Sequence, residues 1–229
     1  MTGAGDASIR RDKILGGIRS RLGASGADAR RTTVMKRLEG QRTHLVPERA
    51  LQDAAHLRAL FAAQLRAGGA TVVEAASEAE IPDAVAGYLR RQNQPLILRV
   101  GDDPWLATVD WTRERALEVR KGRAEPSDAV GLSHAVAGVA ETGTLMLASG
   151  PDNPVTITFL PETSIVILRA SDLVGPYELA FDRIRERYGR GTMPRTLNFV
   201  SGASRTADVG GRLVMGAHGP RRFCVVIVG

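Results

Sequence analysis

The 229-residue sequence predicts an α/β domain, with three layers built on a mixed sheet. Three observations lead there. Helical and strand-like segments alternate from Pro47 to Val100, the rhythm of a sheet covered by helices. Short, compact apolar runs such as PLILRV (95–100) and CVVIV (224–228) read as strands. Apolar residues make up 43% of the chain and aromatics only 4%, so Val, Leu, Ile and Ala must fill the core. GxGxxG and GxxxxGK[ST] are both absent, which argues against a Rossmann dinucleotide site or a P-loop.

Taken in order, residues 8–22 (SIRRDKILGGIRSRL) place Ile14, Ile18 and Leu22 on one narrow stripe among basic residues, a short amphipathic helix weakened by Gly16-Gly17. Residues 23–45, rich in Gly, Ala, Arg and Thr, read as a linker. The expected division is 1–45, a basic helix and linker, and 46–229, the folded domain. Residues 1–50 hold 11 of the Lys/Arg and 5 of the Asp/Glu, so the net charge of +6 belongs to this segment and the body is neutral. A basic arm can meet nucleic acid, a membrane surface or an acidic partner. No aromatic interleaving or nucleic-acid motif accompanies it.

In VPERALQDAAHLRALFAAQLRAGG, Pro47 opens a helix with Leu57, Phe61 and Leu65 on its apolar face, and Gly68-Gly69 closes it. Thr71–Glu74 is β-prone. Ser77 and Glu80 stand at capping-box spacing before a helix through Leu89. Asp102–Trp111 reads as a loop or short helix. Leu117–Val119 and Val130–Leu132 read as short strands. A denser β region follows in Thr144–Ala148, Val155–Leu160 and Ile165–Leu168, the first pair joined as a hairpin by SGPDNP. A helix is expected from Ser171 to Tyr188, then strand, glycine-rich segment, strand.

The single cysteine, Cys224, excludes an internal disulfide and an iron–sulfur site made by this chain alone, and its setting in CVVIV reads as a buried apolar position. Four scattered histidines show no metal-ligand spacing. No apolar run approaches a membrane span and no signal-peptide pattern opens the chain, so a cytoplasmic location is expected.

Three stretches could carry chemistry. In ETGT, Glu141 stands at the mouth of a strand beside Gly143, as an acid–base or ligand-orienting group, or as the cap of a turn. In SGASRTADV, a strand runs into small residues and a possible helix start, which gathers backbone N–H groups around an anion. There Arg205 would take a carboxylate or phosphate, or would pair with Asp208. In GAHGP, His218 is a proton carrier or a hydrogen-bonded loop residue. His134 lies a few residues before Glu141, and the two would share one end of the sheet if 134–140 were helical.

The four stretches AETGTLML, LPETSIVIL, NFVSGASRTADV and GAHGP, in this order, resemble the LUD-domain family of lactate-utilization proteins over roughly residues 47–229. ILGGIRSRLG is similar to that family's N-terminal segment. Glu141, Thr142, Gly143 and Thr144 match E-[ST]-G-T. Gly202, Ser204, Arg205, Thr206, Ala207 and Asp208 match S-G-P-S-x-[ST]-A-D. His218, Gly219 and Pro220 match V-H-G-P. Ala203 stands where the family often has Pro, and Ala217 where Val is commoner. The resemblance implies a fold similar to the sugar-phosphate isomerase/CoA-transferase superfamily. It implies a part in oxidising L-lactate to pyruvate beside partners that carry the iron–sulfur clusters. It also implies a pocket shared by 141–144, 202–208 and 216–220. Within it, Arg205 would bind a small anion, Gly143, Gly202 and Gly219 would give backbone access, and Thr142, Thr144, Ser204 and Thr206 would offer hydroxyls. Glu141, Asp208 or His218 would move a proton. A free-standing enzyme with Glu141 as base or nucleophile, and a sensing or scaffolding module, are the competing readings.

Overall fold

The computed structural model describes residues 3–22, 27–40, 45–207, 211 and 213–229. The chain divides into two units, Met1–His44 and Leu45–Gly229. The first holds α1 (Gly3–Arg21) and α2 (Ala27–Glu39). The expected linker is thus helical over 27–39, because Ala, Arg, Met, Lys and Glu are good helix formers and outweigh the paired threonines. Arg19 and Arg21, like Lys36 and Arg37, sit in last turns, where the dipole favours cations. The expected stripe of α1 is open: Ile14, Ile18 and Leu22 are all exposed.

The second unit starts with a single 3-10 turn at Glu48–Ala50 behind Pro47. The true helix α3 (Ala54–Ala67) begins later, where Asp53 accepts a hydrogen bond from His56 N at 2.9 Å. Asp53 is an N-cap that outcompetes the proline signal. Next come β1 (Thr71–Ala75), α4 (Ile81–Arg91), β2 (Ile97–Val100), β3 (Glu118–Lys121), β4 (Val130–His134), β5 (Ala137–Val139) and β6 (Thr144–Ala148). α5 (Val155–Phe159), β7 (Thr163–Arg169), β8 (Leu173–Val174), α6 (Tyr177–Tyr188), β9 (Leu197–Val200), β10 (Arg205–Ala207), β11 (Leu213–Met215) and β12 (Arg222–Val228) follow.

Six of these strands form one parallel sheet in the order β1-β12-β7-β4-β2-β3. β8, β5, β6 and β9 form a second, mixed sheet. Alternate residues of β7 and β12 feed opposite faces, as the two-residue period requires. Ile165, Ile167, Cys224 and Val226 pack under Ile81, Val85, Tyr88 and Leu89 of α4. Val166, Leu168, Val225 and Ile227 pack against Phe61 and Leu65 of α3 and Leu145 and Leu147 of β6. Beyond the second sheet, Ala180 and Ile184 of α6 cover Val139 and Met146. Burial pushes the Cys224 thiol well up, so it stays protonated, consistent with an inert core position.

Two further expectations are corrected. Val155–Phe159 is a turn of helix rather than the second strand of a hairpin. Its β-branched run misleads because packing decides here. α5 lies on β4 at Gly131, where a Cβ would stand 2.0 Å from Ile157 O, and Thr158 Oγ1 meets Ser133 Oγ at 3.0 Å. The helix expected from Ser171 starts only at Tyr177, because Ala170–Asp172 is a 3-10 turn, Leu173–Val174 pair with β5, and Pro176 precedes the helix.

Candidate functional site

The ETGT residues form the turn from β5 to β6, closed by the Val139–Thr144 pair. Gly143 has φ +63, and a Cβ there would stand 2.6 Å from Gln64 Cβ and 2.8 Å from Leu65 N. Its missing side chain lets the turn lie on α3. Glu141 is largely buried, with 14% of its side chain exposed, and Oε1 accepts from Arg49 Nη2 at 3.2 Å. Arg49 is brought there because the Glu48–Ala50 turn rests on Gly175, where a Cβ would come within 1.8 Å of Ala50 O. Thr142 and Thr144 hydroxyls meet at 2.7 Å. Tyr177 OH lies 2.9 Å from both, and Ser201 Oγ lies 2.8 Å from Thr144 Oγ1.

Ser201–Ser204 wraps the C-terminal end of α3. A Cβ on Gly68 would stand 2.1 Å from Ser201 O, and one on Gly202 (φ +146) 2.2 Å from Gly68 O. The expected helix start after Ser204 is instead strand β10, paired with β11 through Arg205–Met215 and Thr206–Val214. Alternating residues and the return strand at Leu213 favour a hairpin over a helix. The Arg205 guanidinium lies over Gly69, and Nη1 reaches Ala67 O at a long 3.5 Å, at the negative end of α3. Asp208 lies outside the described residues. Ser204 ties this strand to the GAHGP turn. Its N–H donates to Pro220 O at 2.9 Å, its carbonyl accepts from Gly216 N at 2.9 Å, and its Oγ accepts from His218 N at 3.4 Å. Gly219 sits against the Ser204 side chain, and His218 is exposed. The structure therefore brings 142–144, 201–205 and 216–219 into one chain of contacts around α3. Among the described residues it forms no hydrogen bond between Glu141 and His218.

A cavity of about 470 Å³ opens elsewhere, at the carboxyl ends of β2, β4 and β7. This is where open parallel sheets place ligands. Asp103 follows β2, His134 ends β4 and Arg169 ends β7, and all three line it with Trp105. Arg183 and Arg187 of α6 complete the wall. His134 is a strand residue, not a helical one, and it lines this cavity.

The local geometry is well defined. Asp103 Oδ1 accepts from the N–H groups of Trp105 and Leu106, each at 2.9 Å. Oδ2 stands 3.0 Å from His134 Nδ1, with 10% of the His134 side chain and 5% of the Asp103 side chain exposed. Burial raises the Asp103 carboxyl. The His134 hydrogen bond and the two backbone donors more than offset this, and hold it below the usual carboxylate range. An ionised carboxylate only accepts, so Nδ1 carries a proton and donates it to Asp103. Among the described residues, His134 Nε2 is buried with no hydrogen-bond partner, and so is Arg169 Nε. The Trp105 ring lies between the two groups, its centroid 4.5 Å from the His134 ring and 4.2 Å from Arg169 Cζ. Arg187 pairs with Asp152, and Arg183 donates to Ser171 O at 3.0 Å. Arg169 has no carboxylate partner among the described residues.

The arrangement can anchor an anion on Arg169 and exchange a hydrogen bond or proton at His134. The sequence reading passes over Asp103, Trp105 and Arg169 and joins His134 to Glu141 instead of to this edge. The signal available was positional: each stands at or just past the end of an apolar parallel strand. Among the described residues no group of His, Cys, Asp or Glu is placed to hold a metal, and no helix is long and apolar enough to cross a membrane.

A family model of the LUD domain matches residues 58–228. Lactate utilization protein C of Shouchella clausii is 37% identical over 106 residues, 46% of either chain. That of Bacillus subtilis is 33% identical over 120 residues, 52% of this chain and 49% of the relative. That of Geobacillus kaustophilus is 32% identical over 166 residues, 63% and 68% of the two chains. The first two matches span about half the length of those relatives. The crystal structure of a DUF162 family protein from Deinococcus radiodurans superposes with a TM-score of 0.58 at 23% identity, over 78% of this chain and 99% of that one, a likeness of fold.

Proposed function

Since the chain belongs to the LUD-domain family, we propose that it serves as a lactate utilization protein C-like component of an L-lactate-to-pyruvate oxidation system and binds a small carboxylate in the cavity at the strand ends. One observation carries the binding reading: His134 Nε2 and Arg169 Nε, both buried at that edge, have no hydrogen-bond partner among the described residues. A buried polar group without a partner is costly, and a ligand that satisfies it recovers the cost. A carboxylate suits the site better than a phosphate. Asp103, Asp172 and Glu186 share the lining with Arg169, Arg183 and Arg187, which disfavours a dianion. Glu141 is the weaker candidate for the ligand, because Arg49 already holds its carboxylate.

The electrons of such an oxidation need carriers that this chain's lone buried cysteine does not provide. Iron–sulfur partner subunits are therefore part of the proposal. Calorimetric titration of the full chain with L-lactate and pyruvate tests the binding reading. Arg169→Ala should weaken binding by roughly ten- to a hundredfold, the worth of a charge-assisted hydrogen bond, and Arg169→Lys should restore part of it. Equal affinity in Arg169→Ala refutes the site. Failure to co-purify with iron–sulfur subunits refutes the partner reading.

A further inference from the structure

An aromatic face holds Arg169 where a carboxylate might have done so. Its Cζ lies 4.2 Å from the Trp105 ring centroid. A cation is drawn to the negative face of an indole, more strongly where water is excluded. Such a contact leaves N–H groups for another partner, where an ion pair with a carboxylate would occupy them. Arg169 Nε, buried and without a hydrogen-bond partner among the described residues, is such a group. The ring is itself fixed from several sides. Its indole N–H donates to Glu78 Oε1 at 2.7 Å, and the Trp105 backbone N–H donates to Asp103 Oδ1 at 2.9 Å. The His134 ring packs against it, 4.5 Å between centroids. Glu78 belongs to the 3-10 turn Glu78–Glu80 ahead of α4 and stands outside the cavity lining. Its charge reaches the cavity through the indole. A carboxylate that accepts from the N–H polarises the ring and strengthens its hold on the cation.

Resting on the carboxylate reading above, we infer that Trp105 is a positioning residue: tethered by Glu78, it holds the Arg169 cation by its ring face and keeps the guanidinium donors open to an anionic ligand. Trp105 acts through Arg169, and no bond is made or broken. A carboxylate in place of the ring would hold Arg169 as well, but would compete with the ligand for it. Arg187 shows that alternative on the same cavity wall, since Asp152 already pairs with it.

The test is calorimetric titration of the full chain with L-lactate, beside urea unfolding of each variant. Trp105→Leu keeps an apolar side chain and removes the ring; affinity should fall about tenfold, within the range of a cation–π contact shielded from water. Trp105→Phe restores a ring without the N–H and should recover part of that loss. Glu78→Gln keeps an acceptor for the indole N–H and removes only the charge, so it should weaken binding by less than Trp105→Leu. It leaves the ring in place and keeps the inference testable if Trp105→Leu folds poorly. The chain has two tryptophans, Trp105 and Trp111, so a change in emission on adding L-lactate should be present in the wild type and absent in Trp105→Phe. Wild-type affinity in Trp105→Leu, with binding lost in Arg169→Ala, overturns the positioning role and leaves the carboxylate site standing; a purely structural tryptophan would move urea unfolding alone. Equal losses in Trp105→Leu and Trp105→Phe overturn it too, as does an emission change that persists in Trp105→Phe. Unchanged affinity in Arg169→Ala, or no binding by the wild type, overturns the site and the inference together.

Discussion

Gly143→Ala tests why the ETGT glycine is there. At φ +63 an L-residue carries left-handed strain of about 1–2 kcal/mol. The added Cβ would also stand 2.6 Å from Gln64 Cβ, 2.8 Å from Leu65 N and 3.0 Å from Gln64 C. Two of these neighbours belong to the α3 backbone, so helix or turn must move, at about 1–3 kcal/mol. Together the loss is about 2–5 kcal/mol, a fall in Tm of roughly 4–20 °C for a domain of this size. Gly191→Ala is the internal control. Its φ of +77 is similar, but a Cβ there meets nothing within 4 Å, so it should show the strain alone. Urea unfolding followed by circular dichroism gives both values. The difference between the variants isolates the contact of the turn with α3. Equal destabilisation of the two refutes the packing argument and returns Gly143 to the role of a ligand cradle.

Arg205→Ala should cost only about 0.3–1 kcal/mol in urea unfolding, the worth of a cation at a helix C-terminus, and should leave L-lactate titration unchanged. Loss of lactate binding in that variant would put the ligand at the 202–208 segment instead. Asp103 should make stability depend on pH. Its folded-state carboxyl titrates low, so its contribution is present above the ordinary carboxyl pKa of about 3.9 and is lost as pH falls through the lower folded value. The stability gap between wild type and Asp103→Asn should therefore be widest near neutrality and shrink on acidification below about pH 4; a gap that is constant with pH refutes the Asp103 assignment.

Much of the body was legible because its strands are short apolar runs. Ile97–Val100 and Arg222–Val228 carry apolar runs that few other environments accept, and α4 shows its face in Ile81, Val85 and Leu89. Val155–Phe159 was not legible, because its β-branched residues follow local propensity while Gly131 and Ser133 make room for a helix that only the tertiary packing rewards. The family motifs were visible as spaced small residues, but smallness has two uses. Gly143 and Gly202 serve the approach of α3, and that helix lies far from both in sequence. The cavity was hidden for a related reason. Asp103, His134 and Arg169 become neighbours only once β2, β4 and β7 are known to lie side by side in parallel. No spacing along the chain encodes that order.

The most direct test of the central claim is a crystal structure of the full chain grown with L-lactate. The account predicts density in the cavity at the carboxyl ends of β4 and β7, with the carboxylate within hydrogen-bonding distance of the Arg169 guanidinium. Lactate seated instead against Thr142, Ser204 and His218, with this cavity empty, would contradict it.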